Sequence, residues 1–191
     1  MASHFYAMLS RMKNIYRWGL MRNTRQENLS EHSLEVAFIS HALALIRNTR
    51  FGGNVDANFC FAAAAFHDTS EIITGDLPTP IKYYNPEIKN VYKGIEQVAQ
   101  NRLLCMLPDD LRSEIAPLYT PSDEIRELIK AADKISALIK CIEEKNSGNR
   151  EFSSAEEATL NAINDMNLPE AEIFLDEFMH SFALTLDECT K

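Results

Sequence analysis

Phe59-Cys60-Phe61-Ala62-Ala63-Ala64-Ala65-Phe66-His67-Asp68 is a run of eight uncharged apolar residues that ends abruptly in a histidine and a carboxylate. Asp56, just ahead of it, is a good N-cap, so the run reads as a helix continuing to about Ile73. A second apolar helix starts at Ser30, another good cap, and runs to about Asn48, with Phe51-Gly52-Gly53-Asn54 as the turn between the two. Both helices are apolar on nearly every side, and such helices are normally surrounded by others. The pair is therefore expected at the centre of a compact, all-α helical bundle. Six glycines and seven prolines in 191 residues leave few of the turns that a many-stranded fold needs.

The rest of the chain supplies the surrounding helices. Phe5, Met8, Leu9, Met12 and Ile15 recur at helical spacing, which predicts an amphipathic first helix followed by a polar loop holding Arg17, Trp18, Arg22 and Arg25. Gly75, Pro78 and Pro80 make Thr74 to Tyr84 a structured loop. Asn85-Pro86 is a cap with proline at the first helical position, opening a helix of about 20 residues. Pro108, Pro117 and Pro121 confine the next stretch to a short helix and loop. Ser122 or Asp123 then starts a long helix ending near Asn146 to Asn149. Two more amphipathic helices, from about Ser154 and Asn167, complete one domain, with a core over about 28–145 and C-terminal helices over about 153–188.

Composition bounds the partners. Twenty-eight acidic against 19 basic residues give a net charge of −9, which argues against a nucleic-acid polymer because backbone binding needs a basic surface. A small phosphate substrate stays open, since a bound cation and one or two local Arg or Lys residues outweigh the global field inside a cleft. Cys60, Cys105, Cys141 and Cys189 contain no C-x-x-C pair and read as free buried thiols in a reducing compartment. No signal peptide is evident, and the run from Phe59 to Phe66 is too short to span a bilayer. The expectation is a cytoplasmic protein without a membrane partner.

Asp68 poses a physical question. Burying an unpaired carboxylate costs several kcal/mol, so solvent at a helix end, a partner side chain or a cation must satisfy it. Glu71 lies four residues after His67 and three after Asp68, which brings all three toward one side of a helix. His32 opens the other apolar helix, within Ser30-Glu31-His32-Ser33, where it could meet His67 and Asp68. Two imidazoles with one or two carboxylates suit a borderline divalent metal with open positions for water.

The order H…HD…D, here His32, His67-Asp68 and Asp133, resembles the HD-domain superfamily of metal-dependent phosphohydrolases, and within it the bacterial 5'-deoxynucleotidases. The matching stretches are R-W-G-L-M-R-N-T-R-Q-E-N-L-S-E-H-S-L from Arg17, F-G-G-N from Phe51, H-D-T-S-E-I-I-T-G-D-L-P-T-P-I-K-Y from His67 and A-A-D-K-I-S-A-L-I-K-C around Asp133. The resemblance implies that His32, His67, Asp68 and Asp133 ligate one divalent ion per chain, such as cobalt or manganese. It implies a homodimer and a deoxynucleoside 5'-monophosphate substrate, split into nucleoside and phosphate by a metal-bound water. Asp133 rests on the resemblance alone. By pattern it lies largely opposite the apolar stripe of its helix and pairs with Lys130 in solvent.

Glu71 is the candidate general acid or base, either activating the water or protonating the departing 5' oxygen. Arg17 offers a bidentate fork for phosphate oxygens, or is an ordinary solvated loop arginine. Trp18, the only tryptophan, either walls the sugar against a 2'-hydroxyl or staples the first loop over the core. Asp76 and Thr79 are candidates for sugar hydroxyls, or simply stabilise turns, and Lys82 is a further phosphate candidate. His4, His41 and His180 read as ordinary structural residues. No histidine lies between Asp68 and Asp133, so the site looks mononuclear, and Ile72 after Glu71 departs from the H-D-x-x-E-D pattern of guanosine tetraphosphate hydrolases. Hydrolysis of another small phosphate ester and a non-catalytic helical regulator are the rival readings. The second requires a lost ligand or acid, and every expected position is retained.

Overall fold

A computed structural model describes residues 2–82 and 84–190, apart from the side chains of Thr79 and Pro80. Among the described residues no β-strand forms, and one isolated antiparallel bridge joins Tyr16 to Asn28. The helices are α1 (Phe5–Leu9), α2 (Leu29–Phe51), α3 (Ala57–Ala65), α4 (Glu71–Thr74), α5 (Thr79–Lys82), α6 (Pro86–Leu104), α7 (Asp109–Tyr119), α8 (Asp123–Asn146), α9 (Ser153–Asn164), α10 (Pro169–Glu177) and α11 (Leu186–Cys189). Short 3-10 segments follow α1 and α10 and precede α9.

Capping explains most boundaries. Asn85 and Ser122 cap α6 and α8 through their side chains, at the positions the sequence marks. At α2 the cap is Asn28 rather than Ser30. Asn28 accepts from the backbone of Ser30 and Glu31 while Glu31 reaches back to the Asn28 amide, a full capping box. The helix also runs three residues past Asn48, stopping where Gly52 takes a left-handed φ of 69°.

The largest departure is at α3. Asp56 caps it as expected, accepting from the Phe59 amide, but the helix ends at Ala65 instead of continuing to Ile73. The Ala64 carbonyl that would accept from the Asp68 amide is taken instead by the His67 amide (3.2 Å) and by His67 Nδ1 (2.7 Å). Thr69 Oγ1 likewise donates to the Phe66 carbonyl. Local side-chain bonds thus outcompete the helical ladder. His67 and Asp68 consequently sit in a tight turn, and Glu71 opens a new short helix.

The centre also differs from expectation. α2 packs on both α3 and α8, and α8 is its more deeply buried companion, contributing Leu128, Ala131, Ala132, Ile135, Leu138 and Ile139. α3 keeps Phe61 and Ala62 only partly covered, and Leu34, Phe38 and Leu45 of α2 are exposed. The two apolar helices are thus not surrounded on all sides. Each fully buried Leu or Ile contributes about 1.5–3 kcal/mol, so this seam is the main stabilising feature around the site. Ala171 and Phe174 of α10 join the same core, while Phe178 and Leu184 stay exposed. Phe5, Leu103 and Leu107 form a second cluster that ties α1 to α6. Cys60 and Cys141 are buried and Cys105 and Cys189 exposed, so the buried-thiol expectation holds for two of the four. No described helix is long and apolar enough to cross a membrane.

Candidate active site

Four elements bring the polar cluster together. His32 is one turn into α2, His67 and Asp68 follow α3, Asp133 is mid-α8, and Arg17 comes from the loop before α2. His32 Nε2 lies 3.1 Å from Asp133 Oδ1 and 3.6 Å from Asp68 Oδ2. His67 Nε2 lies 3.0 Å from Asp68 Oδ2, and the two imidazole rings are 5.4 Å apart. Arg17 Nη1 stands 3.5 Å from the same Asp68 oxygen. Asp133, which pattern alone would pair with Lys130 in solvent, turns its carboxylate to His32, on the side that the resemblance implies. Its side chain nevertheless stays 44% exposed, which leaves the cluster open on that side.

The ring nitrogens fall into two kinds. His32 Nδ1 faces Ser136 Oγ at 3.0 Å, and that hydroxyl donates to Glu35 Oε2 at 2.6 Å. With the serine proton on the Glu35 side, Nδ1 carries the hydrogen it shares with Ser136; burial pushes the Glu35 pKa up to about 7 against the pull of that hydrogen bond, so this arrangement belongs to the ionised carboxylate. His67 Nδ1 is committed to the Ala64 carbonyl. Both Nε2 atoms are buried and lack a hydrogen-bond partner of acceptable geometry, although carboxylate oxygens lie close. Such close approaches to carboxylates, at about 3 Å, call for a positive charge between the atoms, either a proton or a cation.

His32, His67 and Asp68 each offer a ligand atom, all within 4.8 Å of one another. The donor set, two imidazoles with their far nitrogens anchored and a carboxylate, with Asp133 adjoining, fits a borderline divalent ion. The electrostatics of the four groups differ. Burial and the Arg17 charge push the His32 pKa down, keeping it neutral. Burial also works against a charge on His67, but neighbouring Asp68 overcomes this and raises its pKa. Asp68 is held well below the usual carboxylate range against the cost of its burial, by His67, His32 and Arg17. Burial likewise opposes ionisation of Asp133, yet its close approach to His32 and the Arg17 charge bring it down to about 2.

Glu71 is almost fully buried beside this cluster, and its Oε2 has no hydrogen-bond partner. Burial, then the charges of Asp68 and Asp76, push its pKa up to about 9, so without a bound cation it is a protonated acid at neutral pH. Lys82 Nζ approaches Glu71 at 3.9 Å, but its closer partner is Glu96 at 3.0 Å, and it also lies over the Tyr92 ring. Asp76 is half-buried, its pKa raised by burial despite the field of Arg17. The Thr79 side chain lies outside the described residues.

Trp18 takes a left-handed φ of 59°, unusual for a bulky residue. Its ring rests on buried Phe152 at 5.3 Å and its indole N–H donates to Glu27 Oε2 at 3.0 Å. The same oxygen accepts from Arg17 Nε at 3.2 Å. One carboxylate therefore orients both the arginine and the tryptophan. Glu27 escaped the sequence reading because its partners are ten and nine residues away across a loop. Glu35 was missed as well, as was Ser136, although Ser136 lies one helical turn after Asp133 and that spacing was a usable signal. Lys140 and Glu144 are a further omission. This buried pair also binds the Arg25 carbonyl and the Thr24 and Arg25 amides, pinning the loop that leads into Glu27.

A helical domain with H…HD…D on adjoining elements has the arrangement of the HD-domain metal-dependent phosphohydrolases. Solved structures share its fold. An HD-domain phosphohydrolase from Listeria innocua superposes with a TM-score of 0.81 at 21% identity, covering 98% of this chain and 92% of that one. The cyanophage S-2L HD phosphohydrolase DatZ, bound to dA and one catalytic Zn2+ ion, gives 0.67 at 20% identity, with 92% and 96% covered. The family model described as 5'-deoxynucleotidase YfbR-like matches residues 4–182. The chain is 50% identical to the 5'-deoxynucleotidase YfbR of Escherichia coli over 195 residues, with 99% of this chain and 96% of the relative covered. It is 49% identical to a 5'-deoxynucleotidase of Vibrio parahaemolyticus, with 97% of each covered. The chain belongs to the 5'-deoxynucleotidase YfbR-like family.

Proposed function

We propose that this chain hydrolyses deoxynucleoside 5'-monophosphates to nucleoside and inorganic phosphate with one divalent ion held by His32, His67, Asp68 and Asp133. The observation that carries the reading is the pair of buried, unpartnered Nε2 atoms aimed at Asp68 and Asp133. The relatives' activity, at about half identity over nearly the whole chain, points to the same substrate class. Such an ion, when bound, polarises a phosphate oxygen and makes water a better nucleophile at neutral pH. Cobalt and manganese suit the donor set, as does zinc, the ion bound in DatZ.

Arg17, anchored through Nε by Glu27 and with Nη1 beside Asp68, is set at the cluster to take phosphate oxygens. Glu71, protonated by virtue of its burial, is suited to give its proton to the departing 5' oxygen. Trp18 both packs on Phe152 and stands next in sequence to Arg17, so it serves as loop anchor and as the wall beside C2' of the sugar. Asp76 and Thr79 take the sugar hydroxyls, and Lys82 adds positive charge near Glu71. The decisive assay measures phosphate release from dAMP, AMP and dATP after EDTA treatment and re-addition of Co, Mn, Zn or Mg. Metal-dependent turnover with dAMP preferred is expected, and no release from any nucleotide would sink the reading.

The active form is a homodimer. Ile88, Val91, Ile95 and Val98 along α6 alternate at steps of three and four, the seam of a helix pair, and Val91 and Val98 are 65% and 68% exposed. Light scattering should give a dimer mass that Val91→Glu/Val98→Glu converts to monomer. A mass unchanged by these changes but halved by Phe38→Glu would move the interface to α2. Four free cysteines fit a reducing cytoplasm.

A further inference from the structure

We infer that Ser136 and Glu35 form a positioning pair that fixes the tautomer of His32 and thereby sets the affinity of the site for its metal. The inference rests on the proposed metal site but concerns residues that make no contact with the ion or the substrate. Ser136 Oγ is fully buried between two groups, His32 Nδ1 at 3.0 Å and Glu35 Oε2 at 2.6 Å. When the hydroxyl donates across the short contact to Glu35, the lone pair facing His32 accepts the Nδ1 hydrogen. That leaves Nε2 bare on the side of Asp68 and Asp133. Reversal of this chain would put the hydrogen on Nε2, where it would point at the carboxylates and block ligation.

Glu35 is three residues after His32 on α2 and Ser136 three after Asp133 on α8. Each lies one turn from a candidate ligand on its own helix, so the packing of α2 on α8 that brings His32 to Asp133 also brings Glu35 to Ser136. The same helix contact thus builds both the ligand pair and the device that orients it. Glu35 borders a small cavity with Glu27, Lys140 and Glu143. His67 uses the Ala64 backbone carbonyl for the same purpose. The two imidazoles are held by different means, and the His32 anchor is one that a side-chain substitution removes.

The test titrates cobalt into metal-free wild type, Ser136→Ala, Glu35→Gln and His32→Ala by calorimetry, alongside imidazole 15N spectra of the metal-free proteins. Ser136→Ala removes one oxygen and should weaken cobalt binding at least tenfold. Its His32 signals should shift from the Nδ1–H tautomer toward a mixture, with the metal-free melting temperature little changed. Glu35→Gln keeps an acceptor for Ser136 without the charge and should give a smaller loss in the same direction. Cobalt affinity within twofold of wild type in both variants, with an unchanged His32 tautomer, would overturn the inference. Absence of cobalt binding by the wild type would instead overturn the metal site itself, and His32→Ala reports which failure has occurred. If Ser136→Ala does not fold, the Glu35→Gln titration and spectra decide.

Discussion

Two buried charge clusters sit about one loop apart and are built on opposite principles. In the first, the Glu144 carboxylate accepts from Lys140, from the Thr24 amide and hydroxyl, from the Arg25 amide and from Asn149. Against the cost of burial, these partners hold its pKa down to about 2. In the second, His32 Nε2, His67 Nε2 and Glu71 Oε2 are left without partners among carboxylates. A saturated cluster costs little to bury and locks a loop, whereas an unsaturated one persists only where something outside the chain completes it. The contrast separates the structural pole from the reactive pole more sharply than sequence position does.

The contrast breaks most visibly if the unsaturated pole is altered. Asp68→Asn should lower dAMP turnover by about a thousandfold, roughly 4 kcal/mol of transition-state stabilisation, with circular dichroism unchanged and bound metal lost on elemental analysis. A well-folded, metal-loaded and active Asp68→Asn would erase the distinction. At the saturated pole the expected damage is to stability instead. Glu144→Ala leaves the Lys140 charge buried and should cost about 3 kcal/mol, a fall in melting temperature of roughly 6–12 °C, with metal affinity in the surviving folded fraction maintained.

Glu71 sharpens the comparison through pH. Its pKa in the metal-free fold, about 9, is raised above the ordinary value of 4.5 because burial and neighbouring Asp68 and Asp76 disfavour its charge. A raised carboxylate contributes stability that is fully present below pH 4.5 and is lost as pH rises toward 9. Metal-free wild type should therefore lose stability between pH 6 and 9 relative to Glu71→Gln, by roughly 4 kcal/mol, measured by urea unfolding at each pH. The same variant should retain its metal and lose turnover, and parallel pH curves for the two proteins would remove Glu71 from the unsaturated group. The smallest effect belongs to Trp18→Ala. The dAMP-to-AMP ratio of kcat/KM should narrow about tenfold, worth about 1.4 kcal/mol. An unchanged ratio with a lower melting temperature would assign the indole wholly to the packing seen against Phe152.

Much of this was legible in the linear chain. Caps at Asp56, Asn85 and Ser122 mark helix starts because their short side chains reach local amides, a purely near-neighbour effect. The apolar run that stops at His67-Asp68 identified a carboxylate in need of a partner, and the H…HD…D order identified the family. His32, His67 and Asp68 meet within one small volume, as their order and spacing suggest. The break after Ala65 was not legible, because it depends on His67 taking a carbonyl that propensity assigns to the helix.

Sequence by itself therefore determined the helical class, most element starts and the residue types at the reactive pole, because those follow from local chemistry and spacing. Only the tertiary structure decided which nitrogens are free, that Asp133 turns from its expected solvent pairing toward His32, and that Glu27, Glu35 and Ser136 hold the cluster from behind. The physical reason is distance along the chain. These partners are separated by as many as 104 residues and meet only where α2 packs on α8 or where the first loop folds back, which no helical or strand period encodes.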